Sequence, residues 1–348
     1  METRDDEVGK VRFGLIGTGP ACQNMHISNL NLIPEAEIVA LYNRGKKNLD
    51  EAKKMLPTNP LTFESWEDIV ELADVDAVLV TLPPHLNRDI VVSALRKGKH
   101  VFCEKPLSNT LEGCVDIVNA AEKSGKILQV GLQLRYSNLY SKVREIIDKE
   151  KIGNPQMFWF RSFSAVSWAY RLNTWITDPV LSGGVMNSWA VHTFVILNDL
   201  AGADPVSVYS AGGVNVRKET PYNADNAWIV ISYANRTNGC LEFCRFSPYG
   251  NDWAQIGVIA DRGKIEALWS ARTLAWFGAQ DSTEYRVKLA PYKFSGFDGN
   301  YQQLCAFIES VKTGKTPVVD GRTALVTTAV ALAAEKSMKE QRAIKTKI

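Results

Sequence analysis

Long apolar runs, paired cysteines and blocks of like charge are all missing from this 348-residue chain. No run of apolar residues reaches the ~20 that a membrane-spanning helix needs, and the charged opening, residues 1–10, has no apolar centre that would mark a secretory signal. Neither a membrane nor export is expected. The six cysteines (Cys22, Cys103, Cys114, Cys240, Cys244, Cys305) are scattered, with no Cys-x-x-Cys pairs and no histidines at metal-ligand spacing. Free thiols in a reducing compartment follow, with no metal site, and the expected location is the cytoplasm. A net charge of +2 without a basic block, and without basic and aromatic residues interleaved, argues against nucleic acid as a partner. The chain shows no internal repeat and no low-complexity segment.

What is present is ordinary for two well-filled domains: 45% of the residues are hydrophobic. Over the first third, short apolar runs (11–16, 37–42, 77–81, 100–103, 127–131) alternate with helical patterns (23–32, 49–55, 65–72, 89–97, 111–124). That alternation predicts an α/β fold with a doubly wound parallel sheet. After a helix over 138–150 the texture changes. Runs at 156–166, 206–216, 227–234, 239–246, 253–260, 264–269, 273–278 and 285–289 follow one another with turn signals between them, which predicts a large, mostly antiparallel sheet. One helix, 184–200, interrupts these strands, and two more, 299–312 and 322–341, close the chain. The expected division is a dinucleotide-binding domain over 1–133 and a substrate-binding and oligomerisation domain over 134–348, the last helix lying back against the first domain. A sheet face rich in Trp, Phe and Val needs a cover, so a homodimer or homotetramer is expected.

Two loops carry the first chemical signals. The run Gly17-Thr18-Gly19-Pro20-Ala21-Cys22 follows a strand and opens a helix, which is most of the dinucleotide fingerprint, with Cys22 at the third glycine position. Gly17 makes the tight turn, Gly19 lets the backbone approach a pyrophosphate, and the helix start supplies N–H groups and a positive dipole end. Thr81-Leu82-Pro83-Pro84-His85, with Asn87 just beyond, is a second strand end opening onto a rigid loop at the same edge. The cofactor is therefore NAD or NADP. Asn43-Arg44, where an acid would otherwise bind the adenosine ribose, tilts the choice towards NADP. The alternative is that Arg44, Lys46 and Lys47 are the solvated start of the next helix.

A third strand end is the most distinctive. Gly98-Lys99-His100-Val101-Phe102-Cys103-Glu104-Lys105-Pro106 reads as a buried strand ending on two opposite charges and a stiff proline. Taken alone it fits a turn with a solvated ion pair. Hydride transfer from an alcohol, however, needs a group that takes the hydroxyl proton, and either a lysine brought down by burial or a histidine can do this. His192, in the apolar helix segment Val191-His192-Thr193-Phe194, is the histidine candidate; a satisfied core histidine is the plainer reading. The tryptophans Trp168, Trp175, Trp189 and Trp253, with Tyr170 and Arg171, either line a sugar-sized pocket or belong to the core.

In their order and spacing, Gly17-Thr18-Gly19, Thr81 to His85, Gly98 to Pro106, and Ser182-Gly183-Gly184 followed by His192 resemble the Gfo/Idh/MocA oxidoreductases, named for glucose–fructose oxidoreductase and inositol dehydrogenase. The resemblance covers nearly the whole chain. It implies an NAD(P)-dependent oxidoreductase interconverting a secondary alcohol and a ketone or aldehyde of a sugar, sugar derivative or cyclitol. It also implies roles: Lys105 at substrate and nicotinamide, Glu104 lining the cofactor cleft, His192 as acid or base, Trp175 near substrate and cofactor, and Arg135 with Tyr136 in support. The chain departs from the pattern where the family usually has an acid four residues before the histidine, since Ser188 stands there. Ala190 replaces a glycine and Val195 an acid, and Asn187 is the residue that would compensate by binding substrate beside Ser188. These changes leave open whether Lys105 or His192 moves the proton. A cofactor-binding regulator without catalysis and a glycosidase using transient oxidation by NAD are the alternatives.

Overall fold

Short runs of Val, Ile, Leu and Phe, each ending at a glycine, proline or charged turn, become the strands of the first sheet. The computed structural model describes residues 9–164, 175–216, 218, 223–247, 254–278 and 283–346. Six strands, β1 (Val11–Ile16), β2 (Ala36–Tyr42), β3 (Leu61–Phe63), β4 (Ala77–Val80), β5 (His100–Glu104) and β6 (Leu128–Gly131), lie in the order β3-β2-β1-β4-β5-β6. All five pairings are parallel. Every residue of β4 and β6 is buried, as expected of strands covered by helices on both faces. The order reverses between β1 and β4, so their carboxyl ends frame a crevice of the kind in which open α/β sheets bind ligands.

The second sheet has nine strands: β7 (Pro155–Phe163), β8 (Pro205–Gly213), β9 (Asn226–Tyr233), β10 (Asn238–Cys244), β11 (Ala254–Ala260), β12 (Gly263–Leu268), β13 (Thr273–Gly278), β14 (Glu284–Lys288) and β15 (Ile344–Lys345). Their order is β14-β13-β12-β11-β7-β10-β9-β8-β15, and only β7 and β10 pair in parallel. Alternation sorts the side chains by face. In β9, Ala227, Ile229, Ile231 and Tyr233 point into the core, while Trp228 and Val230 are exposed on the outer face. Met157 (61% exposed), Trp228 (59%), Tyr209 and Ile259 extend that outer apolar surface.

The inner face of this sheet carries the helix Val191–Ala201, which continues a π-helical turn over Met186–Ala190. The last helix, Gly321–Glu340, packs both on β8 and on the helix Leu111–Ser124 that covers the first sheet. Its start is held by the Asp320 carboxylate, which accepts from Thr323 N at 2.8 Å.

Several expectations change. β3 and β15 were not foreseen, because strands of three and two residues at sheet edges carry too little alternation to see. The helix expected from residue 49 begins at Lys46, where Lys46 and Lys47 pair with Asp50 and Glu51 one turn on. The stretch Pro179–Ala201 is long and apolar enough to cross a membrane, contrary to the expectation that no segment is, yet 72% of the apolar 18-residue window within it is buried inside the fold.

Candidate active site

The cradle at the end of β1 is shaped by what cannot fit in it. Gly17 has φ +92°, and a Cβ there would lie 2.7 Å from the Thr81 carbonyl oxygen, so only glycine is accommodated. The Thr81 hydroxyl donates to Gly17 O, locking the ends of β1 and β4 together. At Gly19 the space is open, with nothing nearer to an added Cβ than Asn48 Nδ2 at 3.9 Å. The helical turn that follows starts at Pro20, Ala21 contributes no side-chain cap, and the thiol-bearing Cys22 is wholly buried where a third glycine would pack. Thr18 is buried, and its Oγ1 has no partner among the described residues. An open glycine, an uncapped helix start and an unpartnered hydroxyl together fit the phosphates of a dinucleotide.

Asn43 braces this cradle. Its Oδ1 accepts from Thr18 N at 3.0 Å and its Nδ2 donates to Gly45 O at 2.7 Å. Arg44 beside it is exposed. Across the crevice Leu82, Pro83 and His85 are half-buried, and His85 Nδ1 is unpartnered among the described residues. Asn87 is buried and belongs to the loop's scaffold, since its Nδ2 donates to Pro106 O (3.1 Å) and Leu107 O (3.3 Å).

That scaffold presents Glu104 and Lys105. Glu104 Oε1 lies 2.9 Å from Nε2 of the fully buried His26, and Oε2 accepts from Lys105 N at 3.1 Å. Gly131, on the neighbouring strand, leaves the necessary space: an added Cβ would come within 2.6 Å of Glu104 Oε1. The Lys105 side chain crosses to the second domain, where Nζ donates to Ser188 O at 2.8 Å and stands 5.4 Å from the centre of the Trp189 ring. Burial pushes the Lys105 ammonium down to about 8, with Arg245 adding to the effect and Glu104 opposing it.

Ser188 sits in the π-helical turn Met186–Ala190, and a widened turn of this kind opens a carbonyl to outside donors. Among the described residues its hydroxyl makes only a 3.4 Å contact with Val185 O. Ser188 thus engages Lys105 through its backbone rather than its side chain. His192 follows one turn later, on the same helix. Burial first, and then the positive charges of Lys105 and Arg245, hold its imidazole well below the ordinary range. His192 Nδ1 is unpartnered among the described residues. Asn187 is fully buried, its Nδ2 donating to Ser108 O (3.0 Å) and Ser182 O (2.9 Å), so its amide holds the helix start against the first domain. Trp175 stands half-buried in the turn ahead of the helix Pro179–Ser182. Trp168, Tyr170, Arg171 and Trp253 lie outside the described residues. Arg135 pairs with Asp199, and the Tyr136 hydroxyl accepts from Val319 N at 3.1 Å, so both have structural partners.

The two-domain chain that carries this arrangement has counterparts among known proteins. Residues 11–132 match the family model of oxidoreductases with an NAD-binding Rossmann fold, and residues 144–346 match the model of the α/β domain that follows it. The chain belongs to the Gfo/Idh/MocA oxidoreductase family. A myo-inositol 2-dehydrogenase of Thermotoga maritima is 27% identical over 96% of this chain and 98% of its own length. An inositol 2-dehydrogenase of Serratia proteamaculans is 30% identical over 94% of each. The fold is shared with an oxidoreductase domain protein of Kribbella flavida, with a TM-score of 0.87 at 20% identity over 98% of this chain and 100% of that one.

Two residues of this Gfo/Idh/MocA site escape a reading of the sequence. His26 stands within the fingerprint helix, on a buried face it shares with Cys22, Ile27, Asn29 and Leu30, and is aimed at a strand end. Arg245 left a visible signal. The buried positions Gly239, Leu241 and Phe243 of β10 alternate, and the next one inward is Arg245, a charge on the core side of a strand. Its guanidinium lies 3.9 Å from the Trp189 ring centre, on the indole that Lys105 also approaches.

Proposed function

We propose that this Gfo/Idh/MocA protein is a cytoplasmic NADP- or NAD-dependent dehydrogenase that oxidises a secondary hydroxyl of a cyclitol or sugar, with Lys105 as the group that takes the hydroxyl proton. The observation that carries this reading is the seat of Lys105: Nζ donates to Ser188 O at 2.8 Å and is brought down by burial to about 8. An amine in that range is a competent base near neutrality while keeping N–H donors to orient an oxygen. His192, held neutral, serves to position the substrate hydroxyl by hydrogen bonding. The backbone carbonyl of Ser188 takes over the orienting part of the missing acid, without its charge. The cyclitol reading is favoured by the names of the relatives, inositol 2-dehydrogenases that match along nearly their whole length.

The nicotinamide, when bound, supplies the hydride acceptor, and the chain's own residues do the rest. Gly17, Thr18, Gly19 and the turn at Pro20 and Ala21 receive the pyrophosphate, Thr81, Leu82, Pro83 and His85 wall the crevice, and Glu104 aligns the Lys105 backbone. For the 2′-phosphate of NADP, Arg44 is the candidate, because Lys46 and Lys47 are paired within their helix and Asn43 is committed to its turn. Residues 1–133 form the cofactor domain and 134–348 the substrate domain in this reading. Trp175 and the segment at 187–192 face the substrate. The outer apolar face around Trp228 and Met157 makes the contact of a homodimer or homotetramer. Mixing the protein with NADP⁺ or NAD⁺ and myo-inositol, scyllo-inositol and simple aldoses, and following nicotinamide absorbance, tests the proposal. Reduction of either cofactor supports it; cofactor binding with no turnover across the panel contradicts it.

A further inference from the structure

The helix that carries Ser188 and His192 is anchored by a residue far along the chain. Met186 N donates to Glu335 Oε1 at 2.7 Å, Asn223 Nδ2 donates to Glu335 Oε2, and Asn223 Oδ1 accepts from Val185 N at 3.2 Å. Two successive N–H groups at the helix start, which no intrahelical carbonyl can satisfy, are thereby held by one carboxylate and one amide. Gly184 makes the approach feasible. Its φ is +92°, and an added Cβ would lie 2.4 Å from Glu335 Oε1. Glu335 belongs to the last helix, the element that also packs on the cofactor domain's outer layer.

We propose that Glu335 is a positioning residue for the reaction: together with Asn223 it fixes the π-helical turn so that the Ser188 carbonyl is in place to hold Lys105. The inference rests on the reading of Lys105 as the proton-transfer group. The route is short. Glu335 holds Met186, Met186 opens the π-helical segment, and Ser188 within that segment accepts from Lys105 Nζ at 2.8 Å. A carboxylate suits the place because a helix start presents positive partial charge. Burial pushes the Glu335 carboxyl up to about 7, and the bonds from Met186 and Asn223 oppose that shift. Lys336, Lys339 and Glu340 of its own helix line the same cavity of about 680 Å³, whereas Gly212 and Asn223, which come from other elements, are uncharged.

The test uses the full chain as wild type, Glu335→Ala, Glu335→Gln, Asn223→Ala and the double variant Glu335→Gln with Asn223→Asp. The pH dependence of Lys105 acetylation by acetic anhydride is read by mass spectrometry, together with amide hydrogen exchange over residues 185–192 and NADPH binding by fluorescence. Glu335→Ala is expected to speed exchange over 185–192 roughly tenfold and to move the Lys105 labelling midpoint, with NADPH affinity unchanged. Asn223→Ala, which removes half of the clamp, is expected to do the same to a smaller degree. Glu335→Gln alone keeps an acceptor for Met186 N but sets its amide donor against Asn223 Nδ2, whereas Glu335→Gln combined with Asn223→Asp exchanges the two roles, accepts from both Val185 N and Met186 N, and is expected to restore both readouts. Faster exchange with an unmoved Lys105 midpoint would reduce Glu335 to a structural anchor and overturn the proposal, as would a double variant, Glu335→Gln with Asn223→Asp, that behaves like Glu335→Ala. Should Glu335→Ala not fold, Asn223→Ala and the double variant Glu335→Gln with Asn223→Asp decide the matter by the same readouts. With myo-inositol and NADP⁺, Glu335→Ala is expected to lower kcat while KM for NADP⁺ stays fixed. Absence of turnover in the wild type speaks against the functional reading, and the labelling experiment still decides the clamp.

Discussion

Lys105 Nζ, at the end of a strand in one sheet, donates to the backbone carbonyl of Ser188, on a helix of the other, at 2.8 Å. The contact joins the cofactor cradle to the segment that bears His192, and it places an amine with a lowered proton affinity at the boundary. The sign of the pH effect follows. Alcohol oxidation needs the neutral amine, so kcat/KM is expected to rise about tenfold per pH unit below the Lys105 value and to level off above it. With that value near 8, a pH–rate profile of polyol oxidation should break close to pH 8, and Lys105→Arg, which cannot lose its proton, should be flat and slow.

Glu104 is held from two sides, by His26 at 2.9 Å and by the space over Gly131. His26→Ala leaves the carboxylate without its buried partner, at a cost of about 1–3 kcal/mol in stability. We expect a lower Tm and a kcat reduced by about an order of magnitude. Gly131→Ala, which drives a methyl group towards Glu104 Oε1, should reproduce the kcat loss without touching His26. Thermal denaturation and steady-state rates on the two variants check both.

Gly17→Ala forces a side chain into a left-handed conformation and against the Thr81 carbonyl at 2.7 Å. Strain of about 1–3 kcal/mol is expected from the backbone alone, and the added methyl group also displaces the turn that receives the pyrophosphate. Cofactor affinity, titrated by nicotinamide fluorescence, should fall at least tenfold, whereas Gly125→Ala, at another left-handed glycine with an open surrounding, should leave it unchanged.

Arg44 is exposed beside a brace that is already committed, since Asn43 holds Thr18 N and Gly45 O. Arg44→Ala should therefore weaken NADPH about tenfold or more while leaving NADH within about twofold, the difference being one charged contact to phosphate. Equal losses for both cofactors would remove Arg44 from the ribose site.

Much of this arrangement was legible in the residues. The alternation of apolar runs with helices gave the parallel sheet, and the Gly17-Thr18-Gly19 turn and the Glu104-Lys105-Pro106 strand end pointed to one edge of it. The rest has physical reasons for being hidden. A π-helical turn shares its residue preferences with an α-helix, so periodicity cannot show that the Ser188 carbonyl is turned outward. Asn43 and Asn87 read as ligand contacts, and each also binds backbone of a neighbouring loop, Asn43 at Thr18 N and Asn87 at Pro106 O and Leu107 O, a role set by tertiary geometry. Glu335 meets Met186 across 149 residues of sequence, a distance at which no local pattern survives. Arg245, in contrast, broke the inward alternation of β10 and could have been found by that rule alone.

The most direct test of the central claim compares two variants in one assay. Lys105→Met and His192→Asn are measured for kcat/KM on the polyol that turns over fastest, with cofactor binding confirmed for each. If Lys105 takes the proton, Lys105→Met loses about 10²–10⁴-fold and His192→Asn loses distinctly less. The opposite ranking, with His192→Asn the more damaged enzyme, would contradict the assignment.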